Sequence, residues 1–337
     1  MNAAVFGITP FGCTIACLLK DAGVDVAIIG PDSKVAQVKQ SGVTVRQTWD
    51  GKVITASVPA LANLDFTPEI AIFATKTQDT LTAATAASPW LSNAIIATVQ
   101  YGTKIEQVVA GVLPRDNIVT CVLTMGANCH RAGDVTLNFK GDMVIGKAYG
   151  ASEEKVDRLI DVMGRILTVH KGAKIAHYNC TRLLLNLPYC IPAIIGEKVQ
   201  SAFSDMEISK VAILLLQEGI KVIEEAEVHI ENLPDFSEAS LKTLLAAPLD
   251  EAAVHFGDLV RLMSKTPCEG PVLGSIEHGE VSEIDYQNGE VVKIAQILGF
   301  PTPLNSLMVE LVHELENTNK FISKKHFLSK VSDRLKK

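Results

Sequence analysis

Ala3-Ala4-Val5-Phe6-Gly7-Ile8-Thr9-Pro10-Phe11-Gly12-Cys13-Thr14-Ile15-Ala16-Cys17-Leu18-Leu19-Lys20-Asp21-Ala22-Gly23-Val24-Asp25-Val26-Ala27-Ile28-Ile29-Gly30 is the stretch whose reading decides the fold. Ala3 to Gly7 is an apolar run, read as a buried strand. Gly12 to Ala22 carries apolar residues at helical spacing and stops at Gly23. Val24 to Ile29 is a second apolar strand, ended by Gly30 and Pro31. Strand, helix and strand in about 30 residues make a βαβ unit, so the two strands are parallel and the crossover is right-handed.

The same alternation continues outward. Lys34 to Ser41 reads as a helix ending at Gly42. Val43 to Val58 alternates around Asp50-Gly51, a hairpin signal. Strands are expected at Glu69 to Ala74, Ala94 to Val99 and Ile118 to Leu123, with helices at Thr80 to Ala87 and Lys104 to Val112. Arg131 to Lys147 reads as a meander turning at Lys140-Gly141. Beyond Ser152 strand signals nearly vanish. Helices are expected at 152–167, 175–202, 206–230, 237–245, 250–263, 282–299 and 303–318, and Lys320 to Lys337 is read as a terminal helix or a frayed tail. The fold class is therefore α/β: an N-terminal Rossmann doubly wound parallel sheet over 1–148, then an all-helical domain over 149–337 for substrate binding or dimerisation.

Composition narrows the function. The 337 residues are 47% hydrophobic and 20% charged, which suits globular domains. A formal net charge of −7 without a basic stripe argues against nucleic acid as a partner. The longest apolar stretch, Leu183 to Ile195, is broken by Asn186, Pro188 and Pro192 and is too short to span a bilayer. The N-terminus has no basic residue before Lys20, so it does not read as a secretion signal. The seven cysteines are scattered, with no zinc-ligand spacing, and read as buried, reduced thiols of a cytoplasmic protein. No metal site is expected.

The turn Gly7-Ile8-Thr9-Pro10-Phe11-Gly12 follows the G-x-G-x-x-G pattern with Thr9 at the middle glycine. The first glycine permits the tight turn, the middle one lets backbone approach a pyrophosphate, and the last lets helix and strand pack closely. Thr9 leaves two readings open: its hydroxyl bonds a phosphate oxygen, or its bulk pushes a dinucleotide outward. After the second strand, Asp32 would suit the ribose diol of NAD and Lys34 the 2′-phosphate of NADP.

Four segments give the chain a family resemblance along nearly all its length. They are the N-terminal turn, Ala74-Thr75-Lys76-Thr77-Gln78-Asp79-Thr80, Val99-Gln100-Tyr101-Gly102, and Ser282-Glu283-Ile284-Asp285-Tyr286-Gln287-Asn288-Gly289 with Gly299-Phe300-Pro301-Thr302-Pro303-Leu304-Asn305. On these residues the chain resembles the ketopantoate reductase (2-dehydropantoate 2-reductase) family. The resemblance implies NADPH as cofactor, with NAD left open, and hydride transfer to a 2-keto acid in a cleft between the domains. It implies a cofactor set of Gly7, Thr9, Pro10, Phe11, Gly12, Asp32, Lys34, Lys76, Gln100 and Gly102. It implies Lys76 and Glu283 in the chemistry, and Tyr101, Asn186 and Glu283 on the substrate. The family's catalytic lysine falls at Arg182, its turn asparagine at Tyr101, and its serine near Pro271.

These three differences have chemical weight. A lysine can be tuned by burial to release a proton, whereas arginine stays protonated at ordinary pH. Arg182 can still polarise a carbonyl or fork a carboxylate, and the proton would then come from water, Tyr101 or His177. A mismatched general acid costs about 10²–10⁴ in rate. The substrate is thus ketopantoate or a related 2-keto or imino acid. Two other readings stand beside this one. One is a dinucleotide-binding protein of the same fold with impaired catalysis; the other is an opine-type dehydrogenase with His177 as acid–base.

Overall fold

The structure is a computed structural model that describes residues 2–100, 102 and 104–336. The chain divides into two compact units, Met1–Asn179 and Cys180–Lys337.

In chain order the first unit contains β1 (Asn2–Phe6), α1 (Pro10–Asp21), β2 (Asp25–Ile29), α2 (Asp32–Ser41), β3 (Val43–Gln47), β4 (Val53–Ala56), β5 (Ala60–Leu61) and β6 (Ile70–Phe73). There follow α3 (Thr77–Ala87), β7 (Ile95–Thr98), α4 (Ile105–Ala110), β8 (Ile118–Leu123), β9 (Gly126–Arg131), β10 (Asp134–Phe139), β11 (Met143–Lys147), α5 (Glu153–Met163) and β12 (Val169–Lys171). The main sheet runs β12-β11-β8-β7-β6-β1-β2-β5. Its parallel part, β5-β2-β1-β6-β7-β8, is the doubly wound order whose direction of winding reverses between β1 and β6. The sheet is mixed, because β11 joins β8 antiparallel.

Burial on both faces explains the apolar runs. In β1, Ala3 and Val5 point to the face covered by α1, and Ala4 and Phe6 point to the other. Phe6 stacks on Phe73 of β6 with ring centroids 4.6 Å apart, which locks the two central strands on that face.

A second sheet, β4-β3-β10-β9, lies against α1, where the Cys17 thiol donates to the Val43 and Ile54 carbonyls. The hairpin expected at Asp50-Gly51 is present as β3 and β4, paired from Val43↔Ala56 to Arg46↔Val53. The expected meander is not. β10 pairs with β9 and, in parallel, with β3, whereas β11 crosses to the main sheet beside β8. The crossing occurs at Gly141, where a Cβ would lie 2.3 Å from the Met125 amide nitrogen. Only a residue without a side chain fits two backbones that close.

The second unit is helical. It takes most of α6 (Ile175–Asn186), then α7 (Cys190–Ile195), α8 (Val199–Ala202), α9 (Met206–Glu225), α10 (Glu238–Ala246), α11 (Leu249–Met263), α12 (Pro271–Glu277), α13 (Asn288–Leu298), α14 (Pro303–Thr318) and α15 (Lys324–Leu335). The single helix expected over 175–202 is three. Pro188 and Pro192 interrupt the amide ladder, and Gly196 terminates α7 with a left-handed φ of 69°. Helix α9 stops short of 230 because Glu227 takes a left-handed φ of 57°. Its start is capped by Asp205, which accepts from the Glu207 and Ile208 amides. The basic C-terminal segment is a helix: Phe327 and Val331 are buried, and Arg334 pairs with Glu310. Among the described residues no helix is long and apolar enough to cross a membrane.

Candidate functional site

The glycine turn stands at the switch point of the first unit. Gly7 has a φ of +112°, and a Cβ there would lie 2.5 Å from the Ala74 carbonyl oxygen at the end of β6. A Cβ on Gly12 would lie 1.9 Å from the Gly7 carbonyl oxygen. The turn is thus drawn tightly between the ends of β1 and β6, where ligands of such sheets bind. These bare backbone positions form a cradle that suits a pyrophosphate against the start of α1.

The structure gives Thr9 a role inside the chain. Its hydroxyl donates to the Ala74 carbonyl at 2.7 Å and accepts from the Gly12 amide at 3.1 Å, so it is the N-cap of α1. Pro10 follows at the first helical position, pre-set for the turn but lacking an N–H. Lys34, in the first turn of α2, reaches back to donate to the Ile8 carbonyl at 3.5 Å. Asp32 opens α2 and is exposed.

Lys76 sits at the N-cap of α3, two residues past Ala74. Around it runs a chain of hydrogen bonds with one consistent direction. Gln100, buried at the end of β7, donates from Nε2 to the hydroxyls of Thr75 (3.2 Å) and Thr80 (3.1 Å). Thr80 donates to the Lys76 carbonyl at 3.1 Å, which leaves the Thr75 hydroxyl to donate to Thr80 at 2.7 Å. The Gln100 carbonyl oxygen accepts from the Val99 amide. Gln100 is therefore a strut that holds the Lys76 turn. Gly102 takes a φ of +95°, and Tyr101 lies outside the described residues.

In the second unit Arg182 and Asn186 occupy successive turns of α6, on one face. Asn186 is 2% exposed, and its amide nitrogen has no hydrogen-bond partner among the described residues. A buried donor left in that state favours a ligand or water that can accept from it. His177 lies in the first turn of the same helix, ahead of the division between the units. Glu283 stands at the start of a 3₁₀ turn, Ile284–Tyr286, that leads into α13. Beside it Ser282 is buried, its hydroxyl accepting from the Ile284 amide and its own amide held by Glu316. Pro271 opens α12 and offers no hydroxyl; Ser275, one turn on, donates back to the Pro271 carbonyl.

The C-terminal signature proves largely architectural. Asn288 donates to the Leu187 carbonyl at 3.1 Å and to Asn305 Oδ1 at 2.9 Å. Asn305 in turn gives its backbone and side-chain N–H to Glu218 Oε1, each at 2.8 Å, and the Leu304 amide donates to Glu218 Oε2. Glu218 thereby satisfies the first turn of α14 from α9. It was invisible in the sequence because 86 residues separate it from Leu304. Glu106 is a comparable surprise in the first unit. It is buried, and one carboxylate oxygen accepts from Thr120 Oγ1 at 2.8 Å and Asn179 Nδ2 at 3.1 Å.

The seven cysteines are free, and all are buried except Cys129, which is half-buried and whose thiol donates to the Arg131 carbonyl. Burial pushes the Cys13 thiol up to about 12 and that of Cys17 up to about 11. No group of three His, Cys, Asp or Glu among the described residues is arranged to hold a metal ion.

A doubly wound sheet with a glycine turn at its switch point, followed by a helical unit, is an architecture that suits a dinucleotide-binding protein. Comparison with known proteins agrees. The family model "Ketopantoate reductase PanE/ApbA" matches residues 3–150, and that of the family's C-terminal domain matches 174–316. This chain belongs to the ketopantoate reductase family. A 2-dehydropantoate 2-reductase of Pyrococcus abyssi is 21% identical over 321 residues, covering 93% of this chain and 97% of that protein. The solved structure of D-mandelate dehydrogenase with NADH and anilino(oxo)acetate aligns with a TM-score of 0.79 at 18% identity, covering 94% of this chain and 99% of that one. A ketopantoate reductase of Ralstonia eutropha aligns with a TM-score of 0.76 at 20% identity, covering 94% and 99%. These two likenesses confirm the fold.

Proposed function

We propose that this chain reduces a 2-keto acid, ketopantoate or a close relative, with NADPH. The observation that carries the reading is the Gly7–Gly12 cradle drawn against Ala74 at the switch point, two residues before Lys76, in a chain of this family. When bound, the nicotinamide supplies the hydride. Lys76 places a cation at the mouth of the strand ends, where it suits phosphate, ribose hydroxyls or the developing alkoxide. Lys34 supplies positive charge beside the turn for a 2′-phosphate, and this favours NADPH over NADH.

On the substrate side, Arg182 holds rather than protonates. Its guanidinium stays charged and forks a carboxylate or polarises the keto oxygen, so the proton comes from water, Tyr101 or His177. The Asn186 amide donates to a substrate oxygen, and Glu283 accepts from a substrate hydroxyl or orients the incoming water. Such an enzyme would work in the cytoplasm, and with ketopantoate it would serve pantothenate biosynthesis. Pairing of the helical unit into a homodimer is part of the same proposal.

The first test mixes the purified chain with NADPH and ketopantoate and follows the absorbance of the reduced nicotinamide. Turnover well above the enzyme-free rate supports the proposal. Bound NADPH without turnover on any of a panel of 2-keto acids supports a second reading, a dinucleotide-binding protein with lost chemistry. Arg182 and the hydroxyl-free Pro271 favour that reading. For cofactor choice, Lys34→Ala should weaken NADPH about tenfold and leave NADH nearly unchanged, as loss of a charge-assisted bond implies. Equal effects on both would refute the NADPH preference.

A further inference from the structure

We propose that the Thr9 hydroxyl competes with the dinucleotide's pyrophosphate for the Gly12 amide and so sets the cofactor affinity of this chain. The inference rests on the dinucleotide reading of the turn. An anion at the start of a helix is held by the first-turn amides, which have no partner inside the helix. In α1 those amides belong to Pro10, Phe11 and Gly12. Pro10 has no N–H to give. The Gly12 N–H is engaged by Thr9 Oγ1 at 3.1 Å, and the next amide, Cys13, already closes the first helical bond to the Thr9 carbonyl at 2.9 Å. The middle position of the motif, where glycine would leave the helix end bare, therefore carries a built-in acceptor standing where a phosphate oxygen would stand.

The hydroxyl is not loosely placed. Its own proton goes to the Ala74 carbonyl at 2.7 Å, so the side chain bridges the start of α1 and the end of β6. A pyrophosphate that takes the Gly12 amide must turn the Thr9 side chain away and break this second bond as well. The broken bond ends two residues before Lys76, so occupancy of the phosphate turn is felt at the lysine's turn. A neutral hydroxyl gives a weaker bond to an N–H than a phosphate oxygen does, so the anion wins the exchange, at a loss of affinity.

The test is dinucleotide binding by the full chain, read by the fluorescence of NADPH on titration and by calorimetry, with no turnover required. Removing the hydroxyl spares the anion the two neutral hydrogen bonds it must otherwise break, so Thr9→Gly and Thr9→Ala should each bind NADPH roughly 10- to 100-fold more tightly. Thr9→Ser keeps the hydroxyl and should match the parent within about threefold, by the same reasoning on the bond. Affinity unchanged or weakened in both hydroxyl-free variants, with their folds intact by circular dichroism, overturns the proposal. Should Thr9→Gly not fold, Thr9→Ala decides alone. Tightening by Thr9→Ser as well would make the methyl group the obstacle and overturn the role of the hydroxyl. If neither the parent nor any variant binds NADPH or NADH, the dinucleotide reading itself falls and takes the proposal with it.

Discussion

Two glycines inside helices, Gly12 of α1 and Gly274 of α12, should respond in opposite directions to the same substitution. Alanine is favoured over glycine within a helix by up to about 1 kcal/mol, so propensity alone predicts stabilisation at both sites. At Gly274 the nearest atom to a new Cβ is Glu269 Oε2 at 3.6 Å, an ordinary contact, and the gain should be realised. At Gly12 the new Cβ would lie 1.9 Å from the Gly7 carbonyl oxygen. That is roughly 1.5 Å inside normal contact, and the obstacle is backbone, which cannot swing aside as a side chain can. Overpacking of this kind costs about 1–3 kcal/mol, sometimes more, and a rigid partner places it at the upper end. The net expectation is a loss of about 2 kcal/mol for Gly12→Ala and a gain of about 0.5–1 kcal/mol for Gly274→Ala. Both tryptophans, Trp49 and Trp90, belong to the first unit, so their emission during urea unfolding reports that unit, while far-ultraviolet circular dichroism weighs the helical one. Gly12→Ala should lower the urea midpoint of the tryptophan transition and weaken NADPH binding; Gly274→Ala should raise the dichroism midpoint and leave binding alone. An unchanged or higher tryptophan midpoint in Gly12→Ala would refute the close-packed turn.

Three further outcomes are expected. Gln287 is fully buried with neither side-chain polar atom hydrogen-bonded among the described residues, so Gln287→Met should stabilise the protein by about 1–3 kcal/mol; destabilisation on urea unfolding would show that the amide is satisfied by a trapped water. Hydrogen bonds from Lys147 and then Lys171 lower the Glu153 carboxyl from 4.5 to about 2, so its contribution is complete above pH 4.5 and is lost as pH falls toward 2. Glu153→Gln should accordingly flatten the fall of the melting temperature across that window, and parallel curves would count against the pairing. A thiol reagent should find Cys129 readily in the native protein and the other six only after denaturation; rapid modification of Cys13 or Cys17 would contradict their burial.

Much of this protein follows from the order of its residues, for a local reason. Apolar runs of strand length, helical spacing between them and glycines at the junctions are short-range signals. They determined the β1–α1–β2 unit, the alternation that follows it, the hairpin at Asp50-Gly51 and the change to helices in the second half. The glycine turn between β1 and α1 was equally legible, because a tight turn between strand and helix requires glycine within six residues. Even the breaks in the helix expected over 175–202 were written in Pro188, Pro192 and Gly196, though their combined effect appears only once the chain is packed.

What tertiary structure alone decided are pairings between residues far apart in the chain. Whether β11 lies beside β10 or beside β8 depends on space at Gly141, which no periodicity encodes. The partners of Glu218 and Glu106 lie on other elements, and nothing near either carboxylate in sequence announces them. Thr9 is the sharpest case. Its residue type said nothing of where the hydroxyl would turn; in the folded chain the hydroxyl donates to the carbonyl of Ala74, 65 residues away, and accepts from the Gly12 amide as the cap of α1. A hydroxyl rotates to the nearest suitable acceptor, and which acceptor is nearest is a property of the folded chain.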